Sequence, residues 1–168
     1  MAWQVRALDD AAWMGLALDQ ARQAFDADEV PVGCVIVADG QVLAAARNES
    51  VATGDPTAHA ESLALRRALR DHRDRVAGST LYVTLEPCLM CAGAIVLARV
   101  GRVVFGCDDP KAGAVRSLYT TLSDDRLNHR CKVVPGVRAA EASDLLVRFF
   151  EALRSRRSNG TAGRVTER

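Results

Sequence analysis

Two short strings carry the residues best suited to chemistry: His59-Ala60-Glu61, and Cys88-Leu89-Met90-Cys91 directly behind Pro87. Cysteines three apart at the start of a helix project to the same side and can share one metal ion. The partial positive charge of a helix N-terminus also favours anions, which helps keep both sulfurs as thiolates. Taken alone, the C-x-x-C is open to a redox pair, half of a structural zinc site or coincidence. A lone histidine at a helix start is ordinarily a capping or solvated side chain.

Together, with each half opening its own helix, the strings read H-x-E followed by P-C-x-x-C. That combination is the signature described for zinc-dependent nucleobase deaminases. One imidazole (His59) and two thiolates (Cys88, Cys91) leave the fourth position of a zinc ion to water, whose pKa the metal lowers toward neutrality. Oxygen must then add to a carbon bearing an exocyclic amine, and the amine must leave as ammonia. Both steps need a proton carrier, and Glu61 is expected to be it, standing outside the metal's ligand set. Of the remaining cysteines, Cys34 lies among apolar strand residues and reads as a small core side chain. Cys107 and Cys131 leave open an alternative in which one of them closes a four-ligand structural site.

The elements that must position these groups are legible in outline. Asp9 and Asp10 can cap a helix running to about Asp28, with Trp13, Ala17, Ala21 and Phe25 as its apolar stripe. Val32 to Val37 and Val42 to Arg47 read as strands joined through an Asp39-Gly40 hairpin turn. Residues 48–57 read as a loop. A helix is expected from Thr57 to about Asp71, a strand over Thr80 to Thr84, and a helix from Pro87 through Arg99. Val103 to Phe105 and Lys132 to Val134 complete five strands, with a loop or short helix over 107–130 between them. Glu141 to Arg154 is the last helix, and residues 155–168 are expected to form a disordered tail behind a single 1–154 domain. Strands alternating with helices predict a layered α/β domain with helices on both faces of one sheet.

Composition narrows the class. The 168 residues, 49% hydrophobic and 26% charged, suit one globular domain and argue against wholesale disorder. The net charge of +1 does not announce a nucleic-acid binder. Only Lys111 and Lys132 among the 22 basic residues are lysines, a bias that codon usage explains more simply than phosphate binding. Five cysteines, an odd count without a secretory leader, favour metal or thiol chemistry over a disulfide framework. The opening Met1-Ala-Trp-Gln-Val-Arg6 lacks the order of a signal peptide, and no apolar run approaches the ~20 residues of a membrane span. A cytoplasmic protein without a membrane partner is expected.

Longer strings sharpen the reading. Val30-Pro-Val-Gly33, Asp55-Pro-Thr-Ala-His-Ala-Glu61, Thr84-Leu-Glu-Pro-Cys-Leu-Met-Cys-Ala-Gly-Ala94, Arg102-Val-Val-Phe-Gly106 and the loop Asp109-Pro-Lys-Ala-Gly-Ala-Val-Arg-Ser-Leu118 together resemble bacterial tRNA-specific adenosine deaminases, from about Trp13 to Arg154. The resemblance implies a three-layer α/β/α sandwich with a five-stranded mixed sheet, one zinc per subunit and a homodimer whose active sites border both chains. It implies conversion of the wobble adenosine of a tRNA anticodon to inosine, with an arginine tRNA bearing ACG as the expected substrate. It further implies that Asn48 contacts the flipped-out base, that the loop carrying Asp109 and Lys111 lies along neighbouring anticodon nucleotides, and that Phe150 flanks the RNA.

From the residues alone, Asn48 is equally a turn residue after a strand, and Asp109 and Lys111 equally a solvated pair. Phe149 and Phe150 fit a helix core better than a stacking platform. The basic end Arg154, Arg156 and Arg157 suits either phosphate or the helix dipole. Two positions depart from the family pattern: Cys107, where a small residue is usual, and Glu151-Ala-Leu-Arg154, where relatives are more basic. The alternatives are a deaminase of free bases or nucleosides of the guanine or cytosine type, and a non-catalytic zinc module that binds RNA. An intact Glu61 argues against the second.

Overall fold

A computed structural model describes residues 9–162. Helix α1 (Asp10–Asp26) begins where expected, with the Asp9 carboxylate accepting the Ala12 N–H at 2.8 Å. Strands β1 (Gly33–Ala38) and β2 (Gln41–Arg47) are joined by Asp39 and Gly40, both at positive φ. Two successive left-handed residues match the twist of a tight hairpin, which is why Asp-Gly sits there. Helix α3 (Ala60–Val76) follows the short α2 (Ser50–Thr53), then come β3 (Thr80–Leu85), α4 (Leu89–Leu97), β4 (Arg102–Cys107), β5 (Lys132–Val134) and α5 (Ala139–Ala162).

The five strands form one sheet in the order β2-β1-β3-β4-β5, antiparallel across β2-β1-β3 and parallel across β3-β4-β5. Successive strand residues point to opposite faces, and the two cores divide accordingly. Cys34, Ile36, Leu81, Val83, Val103 and Phe105 pack with α3 and α4. Val35, Val37, Tyr82 and Val104 pack with α1 and α5. The architecture is therefore the expected three-layer α/β/α sandwich around a mixed sheet. Gly33 has a steric reason: a Cβ there would fall 2.0 Å from the carbonyl oxygen of Ala17, so β1 can lie against α1 only with glycine. Asp10 binds Arg102 through both carboxylate oxygens and accepts the Tyr82 hydroxyl at 2.9 Å, fastening α1 across β3 and β4.

Four differences from the sequence reading have physical causes. The 48–57 loop contains α2, whose first-turn N–H groups at Val51 and Ala52 are satisfied by the distant carboxylate of Glu29. Helix α3 passes Asp71 and runs to Val76, with His72 at non-helical φ/ψ marking a kink where the expected end lay. Helix α4 starts after Pro87, at Leu89, so that Cys88 is its N-cap. Helix α5 continues past Arg154, and residues 155–162 are helical rather than a disordered tail. Ser155 and Ser158 each donate to the carbonyl four residues earlier, and Arg156 reaches Asp28 at 2.7 Å. Residues 1–8, on which the leader reading rested, and 163–168 of the tail lie outside the described residues, as does the side chain of Arg157. Among the described residues no helix is long and apolar enough to cross a membrane.

Candidate active site

The two motifs meet because two helices start side by side. His59 is the N-cap of α3 and Cys88 the N-cap of α4, with Cys91 in the first turn of the latter. Neither cap residue uses its side chain to cap the helix. Instead His59 Nδ1 lies 3.6 Å from both the Cys88 and Cys91 sulfurs, and the three donor atoms fall within 4.8 Å of one another. The Cys88 thiol is held down at about 4, by the hydrogen bond from Cys91 first and the His59 imidazole after it. Cys91 is pushed up by the same bond, by burial and by Glu61, while His59 is raised through its contact with Cys88. The trio thus shares protons that a cation would displace, and an imidazole with two sulfurs is a donor set that fits zinc.

The remaining cysteines do not join it. Cys34 is fully buried in the core, Cys107 donates toward the Thr84 carbonyl at 3.6 Å, and Cys131 toward the Val100 carbonyl at 3.0 Å. Among the described residues, His59, Cys88 and Cys91 are the whole group with metal-ligand geometry, which leaves no fourth protein ligand. Glu61 stands beside them in the first turn of α3 and is only 4% exposed. Burial pushes its carboxyl up to about 7, where it can both take and give a proton near neutrality.

Above this cluster opens a cleft of about 210 Å³ lined by Val30, Val32, Asn48, His59, Glu61 and Glu86, among others. Drug-sized pockets run to roughly 300–1,000 Å³, so the cleft suits one flat group the size of a nucleobase. Asn48 is 6% exposed, and its Nδ2 donates to Glu29 at 3.0 Å while its Oδ1 accepts the Ser50 hydroxyl at 3.2 Å. A carboxylate cannot donate, so Glu29 fixes which way the amide faces. Asn48 directly follows β2 and lines the cleft.

A larger groove of about 640 Å³ adjoins the cleft, sharing Val30, Leu85 and Asp109, and is walled by Lys111, Phe150 and Arg154. The three outlying candidates Asp109, Lys111 and Phe150 therefore come together on one surface. Asp109 and Lys111 are not an ion pair: Asp109 Oδ1 instead accepts the backbone N–H groups of Lys111 and Ala112, leaving the Lys111 ammonium to solvent. The two adjacent phenylalanines divide their tasks. Phe149 packs edge-on against Phe25 of α1, centroids 5.9 Å apart, while Phe150 stays 41% exposed on the groove.

The MafB19-like deaminase family matches residues 8–154. A tRNA-specific adenosine deaminase of Bacillus subtilis (strain 168) is 43% identical over 149 residues, which covers 88% of this chain and 92% of that one. A structure solved in a study of A-to-I editing by tRNA:A34 deaminases at the wobble position of transfer RNA is 44% identical, with a TM-score of 0.76 over 80% of this chain and 98% of that one. The chain belongs to the tRNA-specific adenosine deaminase family.

The fold alone reaches further than that family. A guanine deaminase from Nitrosomonas europaea superposes with a TM-score of 0.74 at 24% identity, covering 86% of each chain. Within this tRNA-specific adenosine deaminase family member, two acids that the sequence reading passed over stand out. Glu29 and Glu86 are 1% and 2% exposed. Glu29 holds Asn48 and the start of α2. Burial would raise Glu86, but hydrogen bonds from the Ser117 hydroxyl and from the N–H groups of Arg116, Asp109 and Ser117 outweigh it and hold the carboxyl at about 2. The sequence signal for either is an acid one or two residues ahead of a proline, in Glu29-Val-Pro31 and Glu86-Pro87.

Proposed function

We propose that this chain hydrolytically deaminates the wobble adenosine of a tRNA anticodon to inosine, with an arginine tRNA bearing ACG as the expected substrate. The observation that carries the reading is the stack of features at one place: a three-donor cluster, a buried acid beside it, a base-sized cleft above and an open groove continuing from the cleft. His59, Cys88 and Cys91 would hold one zinc ion per subunit, which when bound supplies a water activated for attack near neutral pH.

The protein's own groups do the rest. Asn48, its amide orientation set by Glu29, holds the edge of the flipped-out purine. Glu61 takes a proton from the attacking water, passes it to the adjacent ring nitrogen, and carries the next one to the departing C6 amine. Val30, Val32 and Leu85 supply apolar walls that keep the base in place and bulk water out. Beyond the cleft, Lys111 and Arg154 offer charge to phosphate, and Phe150 an apolar face to a neighbouring base. A tRNA substrate accords with a cytoplasmic setting.

We also infer a homodimer. Leu89, Met90 and Leu97 are exposed and lie within about 100° of one another around α4, the helix that bears both cysteines. Covering that apolar face with a second copy would put each site at the border of two chains.

Incubation with an unmodified ACG arginine tRNA should yield inosine at the wobble position and nowhere else; a tRNA recovered with adenosine intact there would overturn the assignment. Asn48→Ala should keep its zinc and lose about tenfold to a hundredfold in turnover on an anticodon stem-loop, the worth of one or two buried hydrogen bonds. Metal analysis beside steady-state rates checks this, and unchanged rates would remove Asn48 from base binding.

A further inference from the structure

The segment from Asp109 to Ser117 has no helix or strand of its own, yet it walls both the base cleft and the groove. What gives it shape is one buried side chain. Glu86 lies between Leu85, the last residue of β3, and Pro87-Cys88 at the start of α4. Its Oε1 accepts the backbone N–H groups of Val115, Arg116 and Ser117 at 3.1, 2.7 and 2.9 Å. Its Oε2 accepts the N–H of Asp109 at 2.9 Å and the Ser117 hydroxyl. Five donors from both ends of one loop therefore converge on a single carboxylate.

The rest of the loop is built upon that anchor. Asp109, fixed by Glu86, in turn accepts from Lys111 and Ala112 and so sets where the lysine emerges. Ala114 donates to the Pro87 carbonyl at 2.8 Å, and Gly113 forms an isolated bridge with Cys88. Gly113 has to be glycine because a Cβ would sit 2.2 Å from Glu86 Oε2. Only a glutamate meets these demands. Glutamine would turn an NH2 group toward donors, and aspartate is one methylene too short to reach both ends of the loop. Glu86 also lines the base cleft, so the same carboxylate fixes the loop relative to the base.

We propose that Glu86 is the positioning residue for recognition of the nucleotides that flank the target base: it holds the 109–117 loop in the one shape that sets Asp109 and Lys111 beside the cleft, without touching the reacting atoms. This rests on the RNA substrate proposed above.

The test compares Glu86→Gln, Ser117→Ala and Gly113→Ala with the wild type in four measurements: zinc content, amide hydrogen exchange, cleavage by trypsin and kinetics on an anticodon stem-loop. Glu86→Gln should retain zinc, while the amides of residues 109, 115, 116 and 117 exchange at least tenfold faster and trypsin cuts after Lys111 and Arg116. KM for the stem-loop should rise about tenfold or more, exceeding any fall in kcat. Ser117→Ala, which removes one donor of five, should shift the same readouts by less. Gly113→Ala, which drives a methyl into the carboxylate from the loop side, should reproduce the Glu86→Gln pattern and keeps the test decisive if that variant fails to fold. Unchanged exchange at those four amides, or a loss confined to kcat, would overturn the proposal. If the wild type ignores the stem-loop altogether, the substrate reading fails, and the exchange and cleavage results still decide whether Glu86 holds the loop.

Discussion

Glu61→Gln is expected to bind zinc stoichiometrically and to melt within a few degrees of the wild type, while its turnover of an anticodon stem-loop falls by about 10²–10⁴-fold or more. The reasoning starts from shape: glutamine fills the same buried volume but neither takes nor gives a proton. Glu61 is 4% exposed, and burial brings its carboxyl to about 7, which suits the proton transfer proposed for it. Every stage of the hydrolysis moves a proton, so no stage escapes the substitution. Cys91→Ala makes the opposite separation. It removes one of the three side chains proposed to hold the metal, and zinc and activity should go together. Metal analysis, thermal melts and single-turnover rates on both variants check the pair. A Glu61→Gln enzyme working at the wild-type rate would mean that another group carries the protons.

The cluster was legible in the sequence because its signal is local. His59 and Glu61 are separated by one residue and Cys88 and Cys91 by two, and each pair opens a helix. The strand positions were likewise readable from short apolar runs and from Asp39-Gly40, and the spans differ from those observed by a residue or two at the ends. What escaped depends on partners far along the chain. The donors to Glu29 come from up to 23 residues away and those to Glu86 from up to 31, so the proline near each acid does not by itself announce the role. The same holds for Phe149 and Phe150. Being adjacent, they face different sides of α5, and only the placement of Phe25 on the neighbouring helix settles which one turns inward. The end of α5 is not legible because a run of Arg, Ser and Gly signals a loop by composition, whereas the arginine at 156 finds Asp28 in the turn after α1.

Substrate size should produce the other large effect. The cleft has room for a single base, and the groove beside it, with Lys111, Phe150 and Arg154, extends beyond what a free nucleoside would fill. Contacts to flanking nucleotides can offset the cost of pulling the target base out of its stack and can orient it for attack. A substrate without those nucleotides loses that contribution in the rate as well as in affinity. Added salt should weaken binding of the RNA, since phosphate contacts release counterions even on a protein whose net charge is only +1. The deciding measurement is the specificity constant for an anticodon stem-loop, adenosine, guanine and cytosine under one buffer. A wobble deaminase turns over the stem-loop efficiently and the three small compounds slightly or not at all, whereas a free base or nucleoside that outcompetes the stem-loop would contradict the assignment.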